Sequence, residues 1–145
     1  ATVLNEGQAE GTLIGGNLSV FQYLPHTLPG QFWENAILFL EDCNEELSHI
    51  DRMFLHLRRT GVLSEVKALM LGEFQDLKDT GRPFGYTLED IINEHTHDLD
   101  IPIITNAPFG HGKNLYTFPI GSDVVLEANS EKVVFDLKKN CVELN

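Results

Sequence analysis

Three short apolar runs limit most strongly how this chain can fold: Ala36-Ile37-Leu38-Phe39-Leu40, Ala68-Leu69-Met70-Leu71 and Ile101-Pro102-Ile103-Ile104-Thr105. Each is too short to span a bilayer, and none has a polar face. That is the pattern of a strand buried on both sides. Between the first two, Glu45 to Thr60 carries Leu47, Ile50, Phe54 and Leu57 at helical spacing. Between the second and third, Thr87-Leu88-Glu89-Asp90 opens a helix to about His95 with a capping-box-like start. Strand, helix, strand, helix, strand implies parallel pairing with right-handed crossovers. The remainder reads as β: Leu115 to Ile120, Asp123 to Ala128 and Lys132 to Leu137, with Asn129-Ser130 as the hairpin turn between the last two. The expected class is therefore α/β with a mixed sheet, in two sheet layers and one helical layer.

The N-terminal part is read through its glycines. Thr2 to Leu4 is a short strand, followed by a loop carrying Glu10, a brief extended piece at Thr12-Leu13-Ile14, and Asn17 capping a helix over Leu18 to Leu24. The long helix has acidic residues in its first turn, Arg58-Arg59 in its last and Gly61 as its stop. Asp76 to Tyr86 is a polar loop. The opening Ala1-Thr2-Val3-Leu4 reads as a strand already under way, as if a part preceded it, and no basic stretch leads into an apolar leader. No repeat or internal boundary divides residues 1–145, so a single domain is expected.

Composition excludes some function classes. The 145 residues carry 22 acidic and 10 basic side chains, a formal charge of −12. Such a surface repels phosphate backbones, so nucleic acid is not an expected partner. No apolar run reaches membrane-spanning length, so no membrane partner is expected either. Cys43 and Cys141 form neither a C-x-x-C pair nor a metal-ligand spacing. Two reduced thiols are the preferred reading, with a disulfide left open.

Two glycine-flanked segments carry the chemistry: Gly7-Gln8-Ala9-Glu10-Gly11 and Pro108-Phe109-Gly110-His111-Gly112. His111 lies just beyond a buried strand, where ligand and catalytic loops of α/β sheets collect. A histidine there can accept a proton from a hydroxyl and return it to a leaving amine. By spacing alone, a loop histidine bonded to a backbone carbonyl is the commoner outcome. Glu10 can orient an imidazole through one ring N–H, although an exposed loop glutamate is the usual fate of the residue. Glu41-Asp42 also ends a buried run. Asp42 reads as structural, and Glu41 stays open between lining a site and capping the next helix. His95 and His97 lie two apart with no third ligand nearby, so no metal and no cofactor are expected. His49 and His56 read as surface positions, and Asp51-Arg52 as surface charges. None of Ser19, Ser48, Ser64, Ser122 and Ser130 lies in a G-x-S-x-G elbow.

Taken in order, the motifs are recognisable. They are Gly7-x-Ala9-Glu10-Gly11-x-Leu13-Ile14-Gly15-Gly16-Asn17-Leu18, Ile37-Leu38-Phe39-Leu40-Glu41-Asp42, Ile50-Asp51-Arg52-Met53, Gly72-Glu73-Phe74, Pro108-Phe109-Gly110-His111 and Pro119-Ile120-Gly121. This set resembles the C-terminal domain of the LD-carboxypeptidase family of serine peptidases, which includes the microcin C immunity proteins. The resemblance implies a layered β/β/α domain with a mixed sheet. It also implies a Ser-Glu-His triad, with Glu10 and His111 as the matching glutamate and histidine and the serine in an N-terminal domain that this chain lacks. The chain alone is then expected to be inactive. The full-length protein would be a cytoplasmic homodimer that hydrolyses an amide to a D-amino acid in murein peptides. A peptidyl- or aminoacyl-adenylate substrate is the alternative, and a non-catalytic binding or assembly module is the second.

Overall fold

The computed structural model describes residues 1–113 and 115–138. Its elements in chain order are β1 (Thr2–Asn5), β2 (Gly7–Asn17), α1 (Leu18–Phe21), a 3₁₀ turn (Gly30–Phe32), β3 (Ala36–Glu41), α2 (Leu47–Arg59), α3 (Val62–Glu65), β4 (Ala68–Glu73), α4 (Leu88–Thr96), β5 (Ile103–Gly110), β6 (Asp123–Ala128) and β7 (Val133–Leu137). The strands form one mixed sheet of seven in the order β1-β5-β4-β3-β2-β6-β7. Strands β2, β3, β4 and β5 are mutually parallel, while β1, β6 and β7 pair antiparallel at the two flanks. The mixed α/β class holds, with all strands in one continuous sheet.

Strand β3 is central and every one of its residues is buried. Leu38 and Leu40 face the cluster built with the helices; Ile37 and Phe39 face a second cluster with Leu13, Met70, Ile104 and Phe109. Two-sided burial is what the apolar run without alternation demands. Helix α2 buries Ile50, Met53, Phe54 and Leu57 against the first cluster. Each such side chain contributes about 1.5–3 kcal/mol by leaving water. Its chain stop is Gly61 at φ 85°. Helix α4 starts with a complete capping box between Thr87 and Asp90.

Several expected boundaries move. The helix after Asn17 is one turn long, and Asn17 provides no side-chain cap. Glu45 and Glu46 precede α2 instead of filling its first turn. The segment from Leu115 to Ile120 forms no strand; it is tied to β5 through Tyr116 N–H donating to Pro108 O at 3.0 Å. Strand β5 runs on to Gly110, so Pro108 and Phe109 are sheet residues. The Asn129 turn is as expected: its N–H reaches Lys132 O at 3.0 Å and its side chain accepts from Glu131 and Lys132.

The largest change is β2. Residues 7–17 form one continuous strand, and Glu10 lies inside it. Gly11 and Gly15 serve close approach to neighbouring backbone, not turning. A Cβ on Gly15 would stand 1.8 Å from Phe39 O in the neighbouring strand. No side chain fits there without breaking the β2–β3 ladder.

Helices α2 and α4 are clamped by charge as well as by packing. Arg58 donates to both carboxylate oxygens of Asp98, at 2.7 and 2.5 Å, and to His95 O at 2.9 Å. His95, buried and stacked near parallel to Phe54, lies 2.9 Å from Asp51 through Nε2. The Arg58 guanidinium holds the Asp98 carboxyl down at about 2.

Two outcomes follow for stability. Gly15→Ala lowers the denaturant midpoint by an amount equal to roughly 3 kcal/mol, while Gly16→Ala, where a Cβ meets nothing within 4 Å, costs clearly less. The acid dependence follows from the depressed Asp98 carboxyl. Its contribution is complete above the ordinary carboxylate range and is lost as pH falls through about 2. The melting-temperature gap between wild type and Asp98→Asn is therefore largest near neutrality and closes between pH 4 and pH 2.

Candidate active site

Glu41 is the last residue of β3 and only 7 % exposed. A buried carboxylate is costly unless its oxygens are bonded. Its Oε2 lies 2.7 Å from His111 Nδ1. A carboxylate only accepts, so Nδ1 carries the hydrogen and Nε2 is left for a reactant. The histidine side chain is 51 % exposed and its partner 10 %. One end of the pair is anchored in protein and the other opens to solvent.

Local backbone makes this contact possible. Gly110 ends β5 at φ +98°, a conformation that L side chains rarely adopt. A Cβ there would meet Glu41 Oε2 at 2.8 Å and Glu41 Cβ at 2.9 Å. Between β3 and β5 lies β4. The pair therefore spans two strand spacings, roughly 10 Å. Gly72 of β4 sits on that path: a Cβ on it would stand 2.6 Å from the Phe109 ring. With no side chain at Gly72, Phe109 crosses β4 and meets Phe39 edge-on, ring centres 5.5 Å apart. Phe39 and Phe109 each lie two residues before the carboxylate and the imidazole. Phe118 closes the cluster at 5.3 Å from Phe109 and 6.3 Å from Phe39.

Asp42 is structural, and it serves the first helix, not the next one. Buried to 2 % exposure, it accepts from Asn17 Nδ2 at 2.9 Å, Ser19 N–H at 2.8 Å and Cys43 N–H at 2.9 Å. It thereby ties the end of β2 to the end of β3 beside Glu41. Cys43 carries a free thiol among the described residues. Burial pushes this thiol up, and Glu41, Asp42, Asp76 and Glu45 add to the effect. It stays protonated at neutral pH and is a poor nucleophile. Cys141 lies outside the described residues.

Glu10 is not brought to His111. In the β2–β3 register Asn17 pairs with Glu41, which leaves Glu10 seven residues back along the strand. That separation is roughly 23 Å. Leu13 shares the second cluster with Ile37, so Glu10, three residues before Leu13, points to the opposite face of β2 from Glu41. Its carboxylate pairs with Lys138, and its carbonyl accepts from Lys67 Nζ at 3.1 Å. The expected Glu10–His111 contact is thus corrected to Glu41–His111. The sequence signal for Glu41 was present: an acidic residue ending a strand buried on both faces, at the carboxyl edge of a parallel sheet.

No serine supplies the missing group from within this chain. Ser19 Oγ donates to Asn17 Oδ1 at 2.7 Å and Ser64 Oγ to Gly61 O at 2.8 Å. Among the described residues none of the serines hydrogen-bonds to His111. Nor do the described residues hold three grouped metal-ligating side chains, or a helix long and apolar enough to cross a membrane.

Comparison with known proteins identifies the family of the fold. Residues 10–126 match the model of the LD-carboxypeptidase C-terminal domain. The murein tetrapeptide carboxypeptidase of Pseudomonas aeruginosa is 32% identical over 123 residues, covering 84% of this chain and 39% of that protein. The microcin C7 self-immunity protein of Escherichia coli is 26% identical over 136 residues, covering 88% and 37%. The crystal structure of a muramoyltetrapeptide carboxypeptidase from Oxalobacter formigenes superposes with a TM-score of 0.81 at 32% identity, over 96% of this chain and 49% of that one. The chain spans about two fifths of the curated relatives, 39% and 37% of the two named above. It belongs to the LD-carboxypeptidase family, of which it carries the C-terminal domain.

Proposed function

We propose that this chain is the general-base half of a serine peptidase, with His111 as the base and Glu41 as the carboxylate that orients it. The observation that carries the reading is the 2.7 Å contact between His111 Nδ1 and Glu41 Oε2, with the ring half exposed at the carboxyl ends of the parallel strands. The nucleophile is a serine in an N-terminal domain of the same protein. The substrate is a murein tetrapeptide, as the name of the P. aeruginosa relative suggests, and the bond cut is an amide to a D-amino acid. The full-length protein then works in the cytoplasm as a homodimer, without a cofactor.

The chemistry is acyl transfer. The serine Oγ proton passes to His111 Nε2 as Oγ bonds to the carbonyl carbon. The Nδ1–H bond to Glu41 fixes the tautomer and stabilises the imidazolium that forms. His111 then gives that proton to the departing amine as the C–N bond breaks. Water repeats the cycle on the acyl-enzyme: its proton goes to Nε2 as its oxygen bonds to the carbonyl carbon, and Nε2 returns that proton to Oγ as the C–Oγ bond breaks and serine is released. None of the described serines hydrogen-bonds to His111, so on this reading the chain by itself has no turnover.

The similarity to the microcin C7 self-immunity protein favours a second substrate, a peptidyl- or aminoacyl-adenylate. The same acyl transfer serves both. Release of D-alanine from a murein tetrapeptide, measured beside cleavage of an aminoacyl sulfamoyl adenosine, tells them apart.

In the full-length enzyme, His111→Ala lowers kcat by about 10⁴-fold or more, and Glu41→Gln by about 10³–10⁴-fold. Glu10→Gln leaves kcat/KM within about twofold, because it removes only an exposed ion pair. Steady-state kinetics on the three variants check the assignment, and a loss in Glu10→Gln with none in Glu41→Gln reverses it. Gly110→Ala lowers kcat about 10²-fold with KM little changed, since displacing the imidazole by even 1 Å costs that much.

A further inference from the structure

We infer that Glu73 is a positioning residue for His111, acting from beneath Gly112; this deepens the peptidase reading and rests on it. Glu73 ends β4, and in the β4–β5 register it pairs with Gly110. A Cβ on Gly112 would meet Glu73 Oε2 at 2.2 Å, Cδ at 2.6 Å and Oε1 at 3.1 Å. The carboxylate therefore lies flat against the Gly112 backbone. Glu41 stands in the same relation to Gly110, with Oε2, Cβ and Cγ at 2.8, 2.9 and 3.0 Å from its Cβ position. The Gly110-His111-Gly112 turn thus rests on two carboxylates from neighbouring strands. One bonds the ring; the other holds up the far side of the turn.

Glu73 is itself held. Gln75 Nε2 donates to its Oε2 at 2.7 Å. Gln75 is locked to the segment after β3: its N–H donates to Asp42 O at 3.1 Å, and its carbonyl accepts from Asn44 N–H at 2.9 Å. One chain of contacts therefore runs from the residue after Glu41, through Gln75 and Glu73, to the residue after His111. It closes a loop around the Glu41–His111 bond and sets the imidazole from both sides. A carboxylate lies against the Cβ position of the glycine on each side of the histidine.

The role is shape, so the isosteric amide should preserve it. In the full-length enzyme Glu73→Ala lowers kcat about 10- to 100-fold with KM within about twofold. Glu73→Gln keeps kcat within about threefold of wild type. Gly112→Ala is impaired by collision with Glu73, and the double variant Glu73→Ala/Gly112→Ala recovers kcat relative to Gly112→Ala, because the added methyl enters the vacated space. This non-additivity reports contact in the folded enzyme, and it can be read even where Glu73→Ala alone folds poorly. Wild-type kcat in Glu73→Ala overturns the inference. So does an equal loss in Glu73→Gln and Glu73→Ala, or simple additivity in the double variant. A wild-type enzyme inactive on both murein tetrapeptide and aminoacyl sulfamoyl adenosine overturns the peptidase reading instead.

Discussion

The site depends on one hydrogen bond between strands that are not neighbours. His111 follows β5, Glu41 ends β3, and β4 runs between them. Backbone ladders fix only adjacent strands, so a side-chain bond across a strand needs its own support. That support comes from what β4 lacks at Gly72 and from the ring contact that this gap allows. Phe109 crosses the glycine to reach Phe39, and the imidazole two residues further on lies above the carboxylate. The aromatic pair sets the spacing in the dry interior, and the polar pair uses it at the wet edge. Aromatic contacts add about 0.5–1.5 kcal/mol beyond their burial. More important here, they leave the strand ends little freedom to drift.

Burial decides which acidic residue can orient the histidine. Glu10 is largely exposed and pairs with Lys138, so water and a mobile cation compete for its oxygens. Glu41 is buried at the end of β3, against the Cβ position of Gly110, and a carboxylate there is costly without a donor. The imidazole N–H answers that need. Folding and orientation of the base are therefore the same event. The energy that would be lost by leaving Glu41 unpaired is the energy that holds His111 in one tautomer and one direction.

The central strands and the long helix could be read directly, because two-sided burial and helical periodicity leave marks in single residues. Ala36 to Leu40 and Leu47 to Leu57 needed no tertiary knowledge. Its place after a buried strand marks His111 only as one candidate, and the resemblance of Pro108-Phe109-Gly110-His111 to the family motif is what singles it out. What failed was the reading of glycine. In residues 7–17 glycine reads as loop punctuation, whereas Gly15 serves a backbone approach that only the neighbouring strand reveals. The match of Ala9-Glu10-Gly11 to the family motif points to Glu10, and only the strand register shows that this residue lies far from the histidine. Glu41 shows the complementary gap. Its position was visible, but its partner was not, because pairing across β4 follows from strand order, and strand order is not written in local pattern.

On the proposed peptidase reading, holding base and orienting carboxylate on one sheet has a consequence for how a two-domain hydrolase tolerates motion. Glu41 ends one strand of the sheet and His111 directly follows another, and residues 42–47 and 75–78 interlock beside them through paired backbone bonds. Relative movement of a second domain then changes where the nucleophile stands relative to Nε2, while the Nδ1–H bond to Glu41 stays within this unit. The demanding geometry, a hydrogen bond with a set direction, is kept within one packed unit. The looser one, the approach of the nucleophile, is left to the interface between units. A triad divided in this way can open for substrate and close again without reassembling its base.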